Sequence, residues 1–363
     1  LPEYSPAALA ELALIHGPAR ATDDPAARDP RNAHTIRDLR SLAWSSIDND
    51  DSRDLDQLTW AERAAGGVVR VLVAIADVDA LVLDGTAIDA HARANGTSVY
   101  TAARIFAMLP ERLSTDLTSL NEDEDRLAMV VEMTVGADGA LTGSDVYRAV
   151  VRNRAQLTYN GVAAWLDGHA PAPAKVTAVP GLDAALRLQD DIAHAMRDLR
   201  RQHGALSFET VEARPTFDGE RVSGLEVQSR NRAKDLIEDF MIAANGVTAR
   251  FLTSHGLPSI RRVVRTPKRW DRIVTVAAEH GGALPAEPDA KALDAFLVKA
   301  KAADPQRFPD LSLTIIKLMG PGEYAAEQPG DAAEGHFGLA VKDYAHSTAP
   351  NRRYADLVTQ RLL

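Results

Sequence analysis

Five carboxylates fall within nine residues of this chain: Asp48, Asp50, Asp51, Asp54 and Asp56. Like charges at that density repel unless a cation or hydrogen-bond donors neutralise them. Carboxylates are hard oxygen ligands that suit Mg²⁺, Mn²⁺ or Ca²⁺. Asp48, Asp54 and Asp56 follow a D-x5-D-x-D spacing, and residues two apart in extended chain point the same way. The loop can therefore aim Asp54 and Asp56 at one point while Asp48 approaches from its other end. The ordinary alternative is a solvated acidic loop. A calcium EF-hand is excluded, because Arg53 and Thr59 stand where that loop needs Gly and Glu. Far along the chain, Arg352 and Arg353 offer adjacent guanidinium forks, the donor geometry that matches phosphate oxygens. Asp235, Glu238 and Asp239 fall one turn apart and would share one polar helix face.

These residues need elements to position them. Val68 to Asp77 is a nearly continuous apolar run, as expected of a strand buried on both faces. Leu127 to Val135 reads as a second strand, joined through the turn Gly136–Gly139 to a third at Leu141 to Val151. Pro6 to Leu14 reads as a short helix with Ser5 as its cap, and Gly17 to His34 as a linker without periodicity. Asp167 to Gly181 reads as a loop. Leu182–Gln202, Asp235–Leu252, Asp271–Glu279 and Ala290–Ala302 carry helical spacing, Met319 to Gly335 reads as a loop, and a last helix opens at Thr348. Strands and helices mix without strict alternation. The expected class is α/β, of the mixed α+β kind, with a mixed sheet wrapped by helices. The expected division is a helix and arm over residues 1–34 and a catalytic domain over residues 35–363.

Composition narrows the field. The chain has 363 residues and no Cys, which excludes disulfides and thiolate metal sites and suits a reducing, cytoplasmic setting. No apolar run approaches membrane-spanning length. A net charge of −10 is the wrong sign for coating nucleic acid by bulk electrostatics. Basic clusters do occur, at Arg148/Arg152/Arg154, Arg197/Arg200/Arg201, Arg261/Arg262/Arg265 and Arg352/Arg353. They fit an anionic polymer held in a channel as well as they fit ordinary surface charge. The ten His show no zinc-ligand spacing, and His91 and His346 are expected to be structural or to support the site.

Taken together, several segments resemble the RNB catalytic domain of ribonuclease II, ribonuclease R and the related eukaryotic exosome nucleases. The acidic loop leads to Val71-Leu72-Val73-Ala74-Ile75-Ala76-Asp77-Val78. Gly96-Thr97-Ser98-Val99-Tyr100, Met108-Leu109-Pro110-Glu111-Arg112, Ser119-Leu120-Asn121, Leu236-Ile237-Glu238-Asp239-Phe240-Met241, His336-Phe337-Gly338-Leu339 and Ser347–Leu357 follow in the family's order. The resemblance implies a processive 3′→5′ exoribonuclease that hydrolyses single-stranded RNA to nucleoside 5′-monophosphates with Mg²⁺, or Mn²⁺ in its place. It implies an RNA channel through the fold, and it fits a monomer. Asp48, Asp54 and Asp56 would be the metal-site carboxylates. Gln57 stands at the fourth position, where the family has Asp, and a neutral oxygen holds Mg²⁺ less tightly. Arg352 and Arg353 would grip the scissile phosphate, with Arg352 favoured. Tyr100 and Phe208 would clamp the terminal bases; core is the alternative for either residue, and for Phe208 the two readings stand nearly even. Glu238 would contact a ribose hydroxyl. The family's flanking oligonucleotide-binding barrels are not visible, so the chain reads as a piece of a longer protein. Because of Gln57, a catalytically weak RNA-binding protein of the same fold is the alternative; a calcium-stabilised scaffold is a third.

Overall fold

The structure is a computed structural model of the chain and describes residues 3–21, 36–101, 104–210, 212–219, 221–228 and 230–363. Most of the segment read as a linker therefore lies outside the described residues. Ser5 accepts the Ala8 amide at 3.1 Å and caps α1 (Pro6–Leu14), as the sequence predicts. The helix is not a detached arm, however. Ala8 is fully buried, Tyr4 donates its hydroxyl to the Ala107 carbonyl at 2.9 Å, and Glu11 caps another helix. That helix is α2 (Ala87–Asn95), whose first amides, Ala87 and Ile88, donate to Glu11 Oε2 at 2.7 and 3.2 Å. The boundary expected at residue 34 thus does not separate α1 from the body.

The central sheet begins with β1 (Arg37–Asp38), β2 (Trp44–Asp48), β3 (Gln57–Arg63) and β4 (Val69–Ala76). A short hairpin, β5 (Val99–Tyr100) and β6 (Ile105–Phe106), intervenes before β7 (Asp125–Val135) and the long β8 (Leu141–Thr158). β8 runs seven residues past the Val151 boundary that the apolar run suggested. Beyond Arg152 it alternates buried Asn153, Ala155 and Leu157 with half-exposed polar residues, so no continuous apolar run marks it. Its first part pairs antiparallel with β7 and its last part pairs parallel with β2. The ladder therefore returns on itself: β2–β3–β4–β7–β8–β2, with β1 added parallel to β8.

Gly139 makes the β7–β8 turn possible. Its φ is +82°, and a Cβ there would stand 2.4 Å from the Ala195 carbonyl. β4 explains its own apolar sequence. Val71, Val73 and Ile75 enter one core with Ile192, Met196, Leu236 and Phe240, while Leu72, Ala74 and Ala76 enter a second with Trp44, Leu58, Ile88 and Leu357. Both faces are covered from Val71 onward, and no polar residue follows Arg70 in the strand.

After β8 come α3 (Tyr159–Leu166), α4 (Ala174–Ala178) and α5 (Leu182–Gln202). The stretch expected to be loop thus contains one short helix. A hairpin of β9 (Glu212–Asp218) and β10 (Arg221–Gln228) leads into α6 (Arg232–Ser254), which is longer at both ends than the apolar stripe suggested and starts early because Asn231 caps it. β11 (Ser259–Val263), α7 (Trp270–Glu279), α8 (Ala290–Ala303) and α9 (Phe308–Met319) follow, and α7 to α9 enclose a third apolar cluster. β12 (Glu323–Glu327) pairs with β11 inside the segment expected to be loop, and α10 (Tyr354–Arg361) ends the fold. The mixed sheet wrapped by helices matches the expected class. No helix among the described residues is long and apolar enough to cross a membrane.

Candidate active site

One rim of the sheet gathers the acidic loop. Asp48, the last residue of β2, pairs with Thr158, the last of β8. Ala76, the last of β4, donates its amide to the Asp56 carbonyl at 2.9 Å, and β3 starts at Gln57. The loop between is pinned at Leu55. Its amide donates to Ser119 Oγ at 2.9 Å, its carbonyl accepts from Leu120 at 3.0 Å, and its side chain is buried. Ser119 in turn donates to Asn121 Oδ1 at 2.8 Å. The Ser119-Leu120-Asn121 segment therefore fixes the residue between Asp54 and Asp56, and with it the direction of both carboxylates.

Arg352 reaches this rim from the other end of the chain. The expected helix start at Thr348 is displaced to Tyr354, because Ser347 to Arg353 spends its polar groups on neighbours instead. Ser347 donates its amide and hydroxyl to Asn245 Oδ1 at 2.8 and 2.9 Å, and Thr118 donates to Asn351 Oδ1 at 2.6 Å. The Arg352 carbonyl accepts the Ser98 amide and the Thr97 hydroxyl, both at 2.9 Å. With its backbone held, Arg352 Nε donates to Asp56 Oδ2 at 2.8 Å. Arg353 goes elsewhere. Its Nη2 donates to Asp356 Oδ1 at 2.6 Å, and that buried carboxylate also accepts the Ala349 amide at 2.8 Å. The two arginines, adjacent in sequence, have different partners.

Asp56 is 2% exposed. Oδ2 is held by Arg352, whereas Oδ1 is buried without a hydrogen-bond partner. Burial pushes its carboxyl up to about 7 against the opposing pull of Arg352, and the charges of Asp54 and Asp48 add to the rise. Burial also raises Asp48, less the effect of the Asn49 amide that it accepts. Tyr100 donates its hydroxyl to Asp54 Oδ2 at 3.0 Å; burial, and then Asp54 beside it, hold the phenol proton well above its ordinary range. Asp50 and Asp51 are exposed, and Asp50 accepts from Asn160 at 3.2 Å. Gln57, 7% exposed, is packed at the start of β3 opposite Ile75.

Tyr159 belongs to the same group and escaped the sequence reading. It opens α3 directly after β8, and burial followed by the charge of Asp48 raises its phenol, with Arg352 and Asp56 also acting on it. The signal that could have found it is the length of β8, since the strand that reaches Asp48 ends one residue before Tyr159.

Other candidates stand apart. Phe208 is half-buried against the third apolar cluster, and among the described residues no ring contact joins it to Tyr100. Glu238 lies on the exposed side of α6 and is held by Arg230 at 2.9 Å. Its neighbours Asp235 and Asp239 are bound by Arg197 at 2.8 and 2.6 Å, which ties α5 to α6. His91 bonds Asn95 at 2.9 Å, and His346 meets the Tyr324 hydroxyl at 2.8 Å with burial holding its imidazole down at about 3, so both His serve packing.

An orphaned buried carboxylate oxygen, with two more carboxylates in its field, is donor chemistry for a hard divalent cation. The ligands are not preassembled. Among the described residues no three His, Cys, Asp or Glu side chains are grouped at ligating positions; Arg352 occupies one oxygen of Asp56 and Tyr100 one of Asp54.

Comparison with known proteins adds ancestry to this geometry. The family profile described as RNB domain matches residues 36–363. Ribonuclease R of Escherichia coli (strain K12) is 37% identical over 329 residues, which cover 90% of this chain and 40% of that protein. Ribonuclease R of Aquifex aeolicus is 32% identical over 333 residues, covering 90% and 46%. The chain spans about two fifths to one half of the length of the curated relatives it matches. Among solved structures, Mycoplasma genitalium RNase R in complex with ribose methylated single-stranded RNA aligns with a TM-score of 0.84 at 23% identity, covering 98% of this chain and 53% of that one. Yeast Ssd1, described as a pseudonuclease, aligns with a TM-score of 0.74 at 17% identity, covering 92% and 40%.

Proposed function

This chain belongs to the RNB-domain family, and from that premise we propose that it hydrolyses single-stranded RNA from the 3′ end, processively, to nucleoside 5′-monophosphates. The observation that carries the reading is the meeting of Arg352 with Asp56, a buried carboxylate with one oxygen free, at the rim that also holds Asp48 and Asp54. Asp48, Asp54 and Asp56 would hold Mg²⁺ or Mn²⁺. A bound divalent ion would supply charge neutralisation on the phosphate and an activated water.

The chain's own residues do the rest. The Arg352 guanidinium moves from Asp56 to the scissile phosphate as the site fills, and its planar fork stabilises the charge that builds there. Its held backbone limits that movement to the side chain. Tyr100 stacks the terminal base, and its hydroxyl keeps Asp54 oriented. Glu238 contacts a ribose hydroxyl, the group that distinguishes RNA from DNA.

Single-stranded RNA labelled at its 3′ end, incubated with Mg²⁺ and separately with EDTA, tests the reading. Labelled nucleoside 5′-monophosphate should appear only with Mg²⁺. Asp56→Asn should lower turnover on the order of a hundredfold or more while RNA affinity holds, since one charge at the reacting centre is lost. Release of longer fragments, or full turnover in Asp56→Asn, would overturn the mechanism.

Gln57 favours a second reading, an RNA-binding protein with weak catalysis. A neutral oxygen stands where the family carries a carboxylate, which weakens the hold on a divalent ion. If this limits the site, Gln57→Asp should lower the Mg²⁺ concentration for half-maximal binding and turnover several-fold. An unchanged requirement would show that the other carboxylates suffice.

A further inference from the structure

Lys234 lies in the first turn of α6 and has no carboxylate partner among the described residues. The two cations that precede it do. Arg230 is held by Asp235 and Glu238, and Arg232 by Asp190. The start of α6 is fixed by Asn231, whose Oδ1 accepts the Lys234 amide at 3.0 Å. The ammonium stands 6.0 Å from the centre of the Tyr159 ring, a cation–π distance. Tyr159 directly follows Thr158, the residue that pairs with Asp48. Lys234 thus stands beside the residue that continues the strand paired with Asp48.

A chain with a net charge of −10 gains nothing from long-range attraction to a polyanion. Its grip on phosphates must come from individual, well-placed cations. An arginine already paired must first give up its carboxylate, whereas Lys234 has none to give up. A helix start beside it adds backbone N–H dipoles of the right sign.

We propose that Lys234 grips a backbone phosphate of the nucleic-acid strand, adjacent to the phosphate that Arg352 takes, with the Tyr159 ring steering its ammonium. The inference rests on the RNA reading above and deepens it by naming a contact for the strand entering the site.

Equilibrium binding of a single-stranded RNA in EDTA, where no cleavage occurs, across about 50 to 200 mM salt, tests it. Each phosphate contact on a single strand contributes about 0.7 to the slope of log affinity against log salt. Lys234→Met should therefore flatten the slope by about 0.7, so that its affinity falls about 2.5-fold less than the wild type's over this fourfold salt range. Lys234→Arg should keep the wild-type slope. A Met variant with the wild-type slope would overturn the phosphate contact, as would an Arg variant that loses as much slope as Met, because packing alone would then be at stake. Absence of RNA binding by the wild-type chain would overturn the RNA reading itself and the subsite with it.

Discussion

At the residue scale, the site depends on a carboxylate whose burial opposes its charge. The Asp56 carboxyl titrates near 7 in the folded chain, against about 4 for an ordinary carboxylate. Between those values the unfolded chain has released a proton that the folded one retains, so stability falls as pH rises through this window. In EDTA, the melting temperature of the wild-type chain should drop from pH 5 to pH 8, and Asp56→Asn should flatten that drop. A drop of equal size in the variant would show that another group carries it. The neighbouring arginines should separate cleanly. Arg352→Lys keeps charge but loses the fork, so turnover at saturating RNA should fall, the mark of an interaction made in the transition state. Arg353→Met leaves Asp356 buried without its counter-charge and should destabilise the fold by about 3–5 kcal/mol. Denaturant melts and saturation kinetics on both variants check this; a stable Arg353→Met protein with slow turnover would reverse the assignment.

At the element scale, the carboxylates are aimed by segments that carry no charge. Leu55 sits between Asp54 and Asp56 with its amide on Ser119 and its carbonyl on Leu120. Ser119→Ala leaves a buried amide without an acceptor, at about 1–3 kcal/mol. The loosened loop should also raise the divalent-ion concentration needed for binding, measured by metal titration, and Ser119→Thr should restore it. No change in metal binding would leave Ser119 as a fold residue only. The same logic explains why β8 is long: its last residues form the parallel ladder that brings Thr158 against Asp48, and Tyr159 follows from that.

At the scale of the molecule, α1 is connected to the site through a chain of contacts. Glu11 caps α2, Gly96 at the end of α2 accepts the Tyr354 amide at 2.8 Å, and Ser98 and Thr97 hold the Arg352 backbone. Removing residues 1–20 exposes the α2 face that buries Ala8 and frees the first amides of α2. The melting temperature should fall by about 5 °C, and turnover should fall more than RNA affinity. Unaltered melting and turnover would mean that α2 holds its place alone.

The sequence by itself determined the features whose cause is local. The spacing of Asp48, Asp54 and Asp56 marked a carboxylate site. The apolar run at β4 marked a strand covered on both faces, and period-3.6 stripes marked α5, α6, α7 and α8. It also carried enough ordered motifs to reveal the family. Features that depend on distant segments were decided only by the tertiary structure. Arg352 and Arg353 have the same chemistry in sequence, and only the turns pinned by Asn245, Thr118 and Ser98 send one to Asp56 and the other to Asp356. Tyr159 is brought beside Asp48 because β8 pairs with β2, and Lys234 meets the Tyr159 ring because α6 packs beside α3, while Phe208 is drawn into the third cluster. The physical reason is that periodicity records which face of an element is buried, whereas the meeting of two remote side chains depends on strand register and on how the sheet closes.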